Sequence, residues 1–228
     1  MINDLVLPEK PKLILADGNK AVFEIAPLYP GYGVTLGNAL RRVLLSSLVG
    51  AAITSVKIEN VLHEFSTIPG VLEDVLDITF NLKRVRAKME IEGPVELKLE
   101  VKGKKEIRAK DIKPVAGVEI VNPDLLIATL TSNEAELKMT LILERGRGYS
   151  PAEERMKERV VAGEIILDAV FSPVVNAVYE IENIRYAERT DYNLLRLTIE
   201  TDGTKKPEEA FEEAVKILQD QLNALIKQ

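Results

Sequence analysis

No cysteine occurs among the 228 residues, and tryptophan is missing as well. The first absence excludes disulfides, zinc–thiolate sites and iron–sulfur clusters, and suits a reducing cytosol. A single histidine, His63, removes most imidazole chemistry. No D-x-D-x-D stretch supplies the clustered carboxylates that two-metal nucleotidyl transfer requires. Basic residues do not outnumber acidic ones: 30 Lys and Arg stand against 36 Asp and Glu, for a formal net charge of -6. Duplex binding needs a basic face, because the phosphate term dominates affinity, so the whole-chain balance argues against nucleic acid as the main partner. Long apolar runs are missing too. Arg41-Arg42 followed by the uncharged run Val43–Ile53 imitates a twin-arginine leader, but it lies behind a hairpin-like segment and falls short of the roughly 20 residues that span a bilayer. A soluble cytoplasmic protein without a cofactor is expected, long enough to bury a core in one larger domain or two small ones.

The most informative stretch present is Gly31–Leu48, GYGVTLGNALRRVLLSSL. Leu36, Ala39, Leu40, Val43, Leu44 and Leu48 recur at three- and four-residue steps, which places them on one face of a helix with Arg41 and Arg42 beside it. Thr35 is the predicted N-cap and Gly50 the predicted C′ residue. Gly31, Gly33 and Gly37 fit neither a G-x-G-x-x-G fingerprint nor a P-loop, so turn chemistry and close packing account for them.

Around this helix, Lys12–Ala16 and Lys20–Ala26 flank Asp17-Gly18-Asn19, a strong hairpin signal. A strand is expected over Ile53–Val61. A second helix is expected from about Pro69 to Leu82, with Leu72, Val75, Leu76, Thr79 and Leu82 on one face and Pro69 in its first turn. Glu73, Asp74 and Asp77 then complement the helix dipole. From Ala87 to Glu144, short alternating runs such as Val95-Leu97-Leu99-Val101 predict a mostly β module. Longer strands return around Tyr179–Ile181 and Leu195–Ile199 before Pro207 opens a final helix to Lys227. In that helix Phe211, Val215, Leu218, Leu222 and Leu225 are spaced four, three, four and three, a coiled-coil-like seam. The pattern alone favours a helix packed on its own sheet, because isolated heptads are more often core than zipper.

Two basic features have competing readings. Arg145, Arg147 and Tyr149 in ERGRGYSPA have the composition of an RNA contact, but a β-connection with tight glycine turns and carboxylate-paired arginines explains them with less. Lys83, Arg84, Arg86 and Lys88 form the densest basic cluster, either a solvated helix end or a docking site for an acidic partner. A stand-alone nucleic-acid-binding or nucleotide-binding protein therefore stays open as the alternative class.

Five colinear strings spanning nearly the whole chain resemble the amino-terminal domain of the bacterial RNA polymerase alpha subunit family. They are TLGNALRRVLLSSL (Thr35–Leu48), VLHEFSTIPGVLEDV (Val61–Val75), NLK (Asn81–Lys83), ERGRGYSPA (Glu144–Ala152) and RTD (Arg189–Asp191). The resemblance implies an α+β fold in two subdomains: a discontinuous helix-plus-sheet dimerisation subdomain, residues 1–49 and 171–228, with an inserted β-rich subdomain, residues 50–170. It implies a non-catalytic assembly platform that homodimerises and recruits the beta and beta′ subunits. Its first and last helices would form the dimer interface, through Leu36, Leu40, Val43, Leu44, Phe211, Val215, Leu218, Leu222 and Leu225. Arg42, His63, Lys83 and the segment from Leu167 to Val174 would contact beta and beta′. The family's DNA-binding carboxy-terminal domain is expected to be absent from a chain ending at Gln228, and with it direct DNA binding.

Overall fold

The computed structural model describes residues 5–156 and 163–226, so Lys227 and Gln228 lie outside the described residues. The chain opens with β1 (Lys12–Asp17), β2 (Lys20–Leu28), α1 (Tyr32–Ser46), β3 (Val49–Ile58) and α2 (Val75–Lys83). Short strands follow: β4 (Ala87–Met89), β5 (Val95–Lys102), β6 (Glu106–Arg108), β7 (Val118–Ile120) and β8 (Leu126–Thr129), with a 3-10 turn at Ala109–Asp111. Next come β9 (Glu136–Arg147), β10 (Tyr149–Ser150), α3 (Ala152–Met156), β11 (Glu164–Ile166) and β12 (Ala169–Val170). The chain closes with β13 (Val174–Tyr186), β14 (Arg189–Thr201) and α4 (Pro207–Ile226). The fold is α+β and divides into two compact units, one joining the chain up to Leu48 with the chain from Ser172, the other comprising Val49–Phe171.

The first unit is built on an antiparallel sheet in the order β1-β2-β14-β13. The Asp17-Gly18 signal does make a hairpin: Asp17 pairs with Lys20 across Gly18 and Asn19. Strand alternation puts Ala21, Phe23 and Ile25 of β2 and Leu195, Leu197 and Ile199 of β14 on one face. That face is buried together with Leu40 and Leu44 of α1 and Ala210, Phe211 and Ala214 of α4. Phe23 stacks on Phe211 with ring centroids 4.7 Å apart.

Both ends of α1 differ from expectation. The helix starts three residues before Thr35, which lies in its first turn with its hydroxyl donating to Gly31 O at 3.3 Å. Gly31 precedes it in the left-handed region at φ 90, open to a residue without Cβ. Its cap comes from β14, where Asn193 Oδ1 accepts from Gly31 N at 3.0 Å and Gly33 N at 3.3 Å. The helix closes at Ser47, whose amide donates to Val43 O at 2.9 Å, so Gly50 is not a C′ residue; it lies inside β3, paired with Gly146. Gly33 and Gly37 face the sheet from within the helix, where close packing accounts for them: a Cβ on Gly37 would lie 2.7 Å from the Tyr179 ring.

The second unit carries the sheet β11-β3-β9-β5 and the two-stranded pairs β4-β7, β6-β8 and β10-β12, in line with a mostly β module. Val75, Ile78 and Leu82 of α2 share its core with Val56, Leu97, Leu99 and Leu141. The strand expected at Ile53 begins earlier, at Val49. The second helix starts at Val75 rather than Pro69, because the preceding backbone is already paired: Val71 bridges Leu130, and Leu72 N donates to Thr129 O at 2.9 Å. Leu72 is consequently exposed instead of on the helix face. Asp74 is the N-cap, accepting from Asp77 N at 2.7 Å. Glu73 is no dipole partner; it clamps Thr129 through the amide at 2.6 Å and the hydroxyl at 2.9 Å. Among the described residues no helix is long and apolar enough to cross a membrane.

Candidate functional site

In the first unit, α1 and α4 border a groove of about 380 Å³ whose walls include Ile25, Leu36, Leu40, Phe211, Val215, Leu218 and Leu222. The seam residues of the two helices divide by depth. Leu40, Leu44 and Phe211 are buried in the unit's own core, whereas Leu36, Val43 and Leu218 are half-buried at its margin. Val215 is 40% exposed, Leu222 61% and Leu225 80%. Ala210, Phe211 and Ala214 anchor the first turns of α4, and its last two turns present Leu222 and Leu225, uncovered among the described residues. Beside the groove, Arg41 Nε donates to Ala177 O at 3.1 Å, while the Arg42 side chain is exposed and, among the described residues, makes no hydrogen bond or ion pair.

In the second unit the VLHEF segment is a loop that projects apolar side chains into solvent: Leu62 is 83% exposed and Phe65 77%. His63 Nδ1 lies 3.1 Å from Ser66 Oγ, and Ser66 O accepts from Val75 N at 3.2 Å, which ties the loop to the start of α2. On α2 itself Phe80 is half exposed, and Lys83 Nζ sits 5.4 Å from its ring centroid. Lys83 also donates to Asp168 Oδ2 at 2.8 Å. That hydrogen bond, with a second from Ala152 N, holds the Asp168 carboxyl below the usual carboxylate range.

Leu167 and Val174 do not offer partner surface. Leu167, in the connection between β11 and β12, is 2% exposed in the core of the second unit, and Val174, the first residue of β13, is 4% exposed in the core of the first. The exposed large apolar residue of that stretch is Val170, and Val175 just beyond it is exposed as well.

The ERGRGYSPA string also departs from its sequence reading. Gly146 makes no turn but sits within β9, where a Cβ would lie 2.7 Å from the Phe171 ring. The string's ion pair uses its glutamate: Arg155 Nη2 meets Glu144 Oε2 at 2.5 Å, while Arg145 and Arg147 are exposed and without an ion pair among the described residues. The basic cluster is partly neutralised, by Asp168 at Lys83 and by Glu119 at Lys88, 3.7 Å away. Sequence reasoning missed three polar groups. Asn193 and Asp168 act across long sequence separations. Arg189 grips Asp191 with two bonds, at 2.9 and 2.7 Å, and lies over the Tyr29 and Tyr192 rings. Asp168 and Arg189 lay within strings already singled out, Leu167–Val174 and RTD, but without a role of their own, and Asn193 carried no signal.

Residues 56–172 match the family described as the RNA polymerase Rpb3/RpoA insert domain. A DNA-directed RNA polymerase subunit alpha of Roseiflexus sp. (strain RS-1) is 48% identical over 94% of this chain and 66% of its own length. The subunit of the same name from Flavobacterium psychrophilum is 47% identical over 92% of this chain and 64% of itself. That of Symbiobacterium thermophilum is 47% identical over 96% and 70%. The chain thus spans about two thirds of the length of these relatives.

Proposed function

Because this chain belongs to the RNA polymerase alpha subunit family, we propose that it is a non-catalytic assembly platform, which homodimerises through α1 and α4 and recruits the beta and beta′ subunits of DNA-directed RNA polymerase. The observation that carries the dimer is the groove between these helices, continued by the uncovered Leu222 and Leu225. Contiguous exposed apolar surface marks an interaction site, and a two-fold partner covers each such patch twice with one set of residues. The half-buried Leu36, Val43 and Leu218 then form the rim of the interface, with Leu40, Leu44 and Phe211 supporting it from beneath.

Large-subunit docking is assigned to Arg42, to the loop around His63 and to Lys83. The exposed side chains at these places are apolar and singly charged rather than a basic stripe, which supports a protein partner over nucleic acid. Co-expression of the tagged chain with beta and beta′ tests the reading. Recovery of both large subunits with two copies of the chain is expected. A chain that recovers neither contradicts the assignment.

A further inference from the structure

The segment Leu167–Val174 raises a question that its burial sharpens. Its apolar residues other than Val170 face inward, so a polar influence on docking must come from a side chain that leaves the core. Asp168 is that side chain. Its neighbours Leu167 and Ala169 are 2% and 1% exposed, and Leu167 N donates to Thr54 O at 2.9 Å, so the backbone on both sides is fixed. Its two oxygens have separate tasks: Oδ1 accepts from Ala152 N, the first amide of α3, at 2.9 Å, and Oδ2 accepts from Lys83 Nζ at 2.8 Å.

We infer that Asp168 is a positioning residue for recruitment of the large subunits: its carboxylate, anchored by its buried neighbours Leu167 and Ala169 in the connection between β11 and β12, holds the Lys83 ammonium at the end of α2 in the orientation in which a partner meets it. The inference rests on the proposed role of Lys83 as a docking residue. A free lysine side chain samples many rotamers and loses that freedom on binding, whereas one fixed beforehand has already lost it. Three N–H donors belong to an ammonium, and Asp168 engages one while the Phe80 ring lies 5.4 Å away. The Lys83 side chain stays 27% exposed, which leaves its remaining donors within reach of a partner. Because the Lys83–Asp168 pair is neutral overall, it exerts little long-range pull, so the partner group it suits is a hydrogen-bond acceptor at contact distance, a carboxylate or a backbone carbonyl. The lowered pKa of Asp168, caused first by the Lys83 hydrogen bond, is consistent with a standing pair.

The test uses the full chain co-expressed with beta and beta′ in four forms: wild type, Lys83→Ala, Asp168→Ala and the double variant. Each single change is expected to lower recovery of the large subunits about tenfold, and the double variant no further, since both remove one interaction. Losses that multiply in the double variant would overturn the inference. Asp168→Asn separates positioning from support of α3, because its amide oxygen still accepts from Ala152 N but no longer binds the ammonium as an anion. Recovery as poor as with Asp168→Ala is expected, and wild-type recovery would overturn the inference. A third readout needs no partner: carboxyl-carbon NMR of Asp168 in the isolated chain should titrate below the usual range and return toward it in Lys83→Ala, and an unchanged midpoint would remove the pair. A wild-type chain that recovers no large subunit, with the NMR shift present, defeats the proposed function instead and leaves the pair standing.

Discussion

Asn193 caps the N-terminus of α1 from a strand 162 residues beyond it, its Oδ1 accepting from Gly31 N at 3.0 Å. The same oxygen reaches Gly33 N at 3.3 Å, and the amide nitrogen donates to Asn183 Oδ1 at 3.1 Å. The start of α1 is thereby fixed to β14 and β13 and not to its own flanking sequence. A buried cap of this kind also explains why no Ser, Thr, Asp or Asn stands at the helix start, where Gly31 occupies the cap position.

Asn193→Ala should therefore destabilise the fold by about 1 to 2 kcal/mol, since it leaves two helix amides and the Asn183 carbonyl oxygen without their partner. Asn193→Asp keeps the acceptor and should retain most of the cap. Urea unfolding checks this: a lower midpoint with an unchanged slope is expected for the alanine variant.

Gly37→Ala tests the close approach of α1 to its sheet. A Cβ there would lie 2.7 Å from Tyr179 Cδ2 and 3.0 Å from Leu195 Cδ1. Replacing glycine by alanine in a helix interior normally gains up to about 1 kcal/mol, but overpacking costs about 1 to 3 kcal/mol. The clash dominates, and thermal unfolding should show a net loss.

These two sites mark where the sequence was legible and where it was not. Local chemistry exposed the Asp17-Gly18 hairpin and the extent of α4, since turn type and heptad spacing are properties of neighbouring residues. The start of α1 was hidden because its cap lies in another strand. The start of α2 was misplaced because Val71 and Leu72 look helical by spacing, yet their backbone is taken by the chain at 129–130. Within the candidate site, periodicity identifies apolar faces without saying what covers them. Leu44 and Leu222 obey the same pattern, but one is fully buried in its own unit and the other is 61% exposed. The same limit applies to Leu167 and Val174, whose apolar character suits a core as well as a partner.

Acid sensitivity should follow from carboxylates held in their ionised form. Burial pushes the Asp111 carboxyl up, but the Arg108 amide and the Lys105 ammonium, each bonded at 2.8 Å, more than offset it and leave it below the usual range. A group depressed in the folded state contributes stability fully above its unfolded value, about 3.9 for aspartate, and loses it as pH falls through the folded value. Asp111→Asn removes this contribution. Its stability deficit relative to wild type should be constant near neutrality and shrink as pH drops below about 4, as followed by denaturant unfolding at each pH.

Arg42→Ala should separate assembly from folding. Arg42 is exposed beside the apolar face of α1, and substitutions at such positions usually change stability by within about 0.5 kcal/mol. The dimer is expected to persist while recovery of beta falls, because truncating one member of a buried intersubunit charge contact costs about 2 to 5 kcal/mol. Equal recovery of beta by mutant and wild-type chains at physiological salt would take Arg42 out of the docking surface.

The dimer is the claim on which the rest depends, and sedimentation equilibrium reads it directly. Leu222 and Leu225 are exposed within their unit, so Leu222→Glu and Leu225→Glu leave the unit's own core untouched and act only where a second copy would cover them. The wild-type chain should sediment at twice the chain mass across the micromolar range, and the glutamate variants should sediment as folded monomers with unchanged circular dichroism. A wild-type monomer at tens of micromolar, on the order of ordinary interface affinities, or a dimer indifferent to both substitutions, would contradict the account.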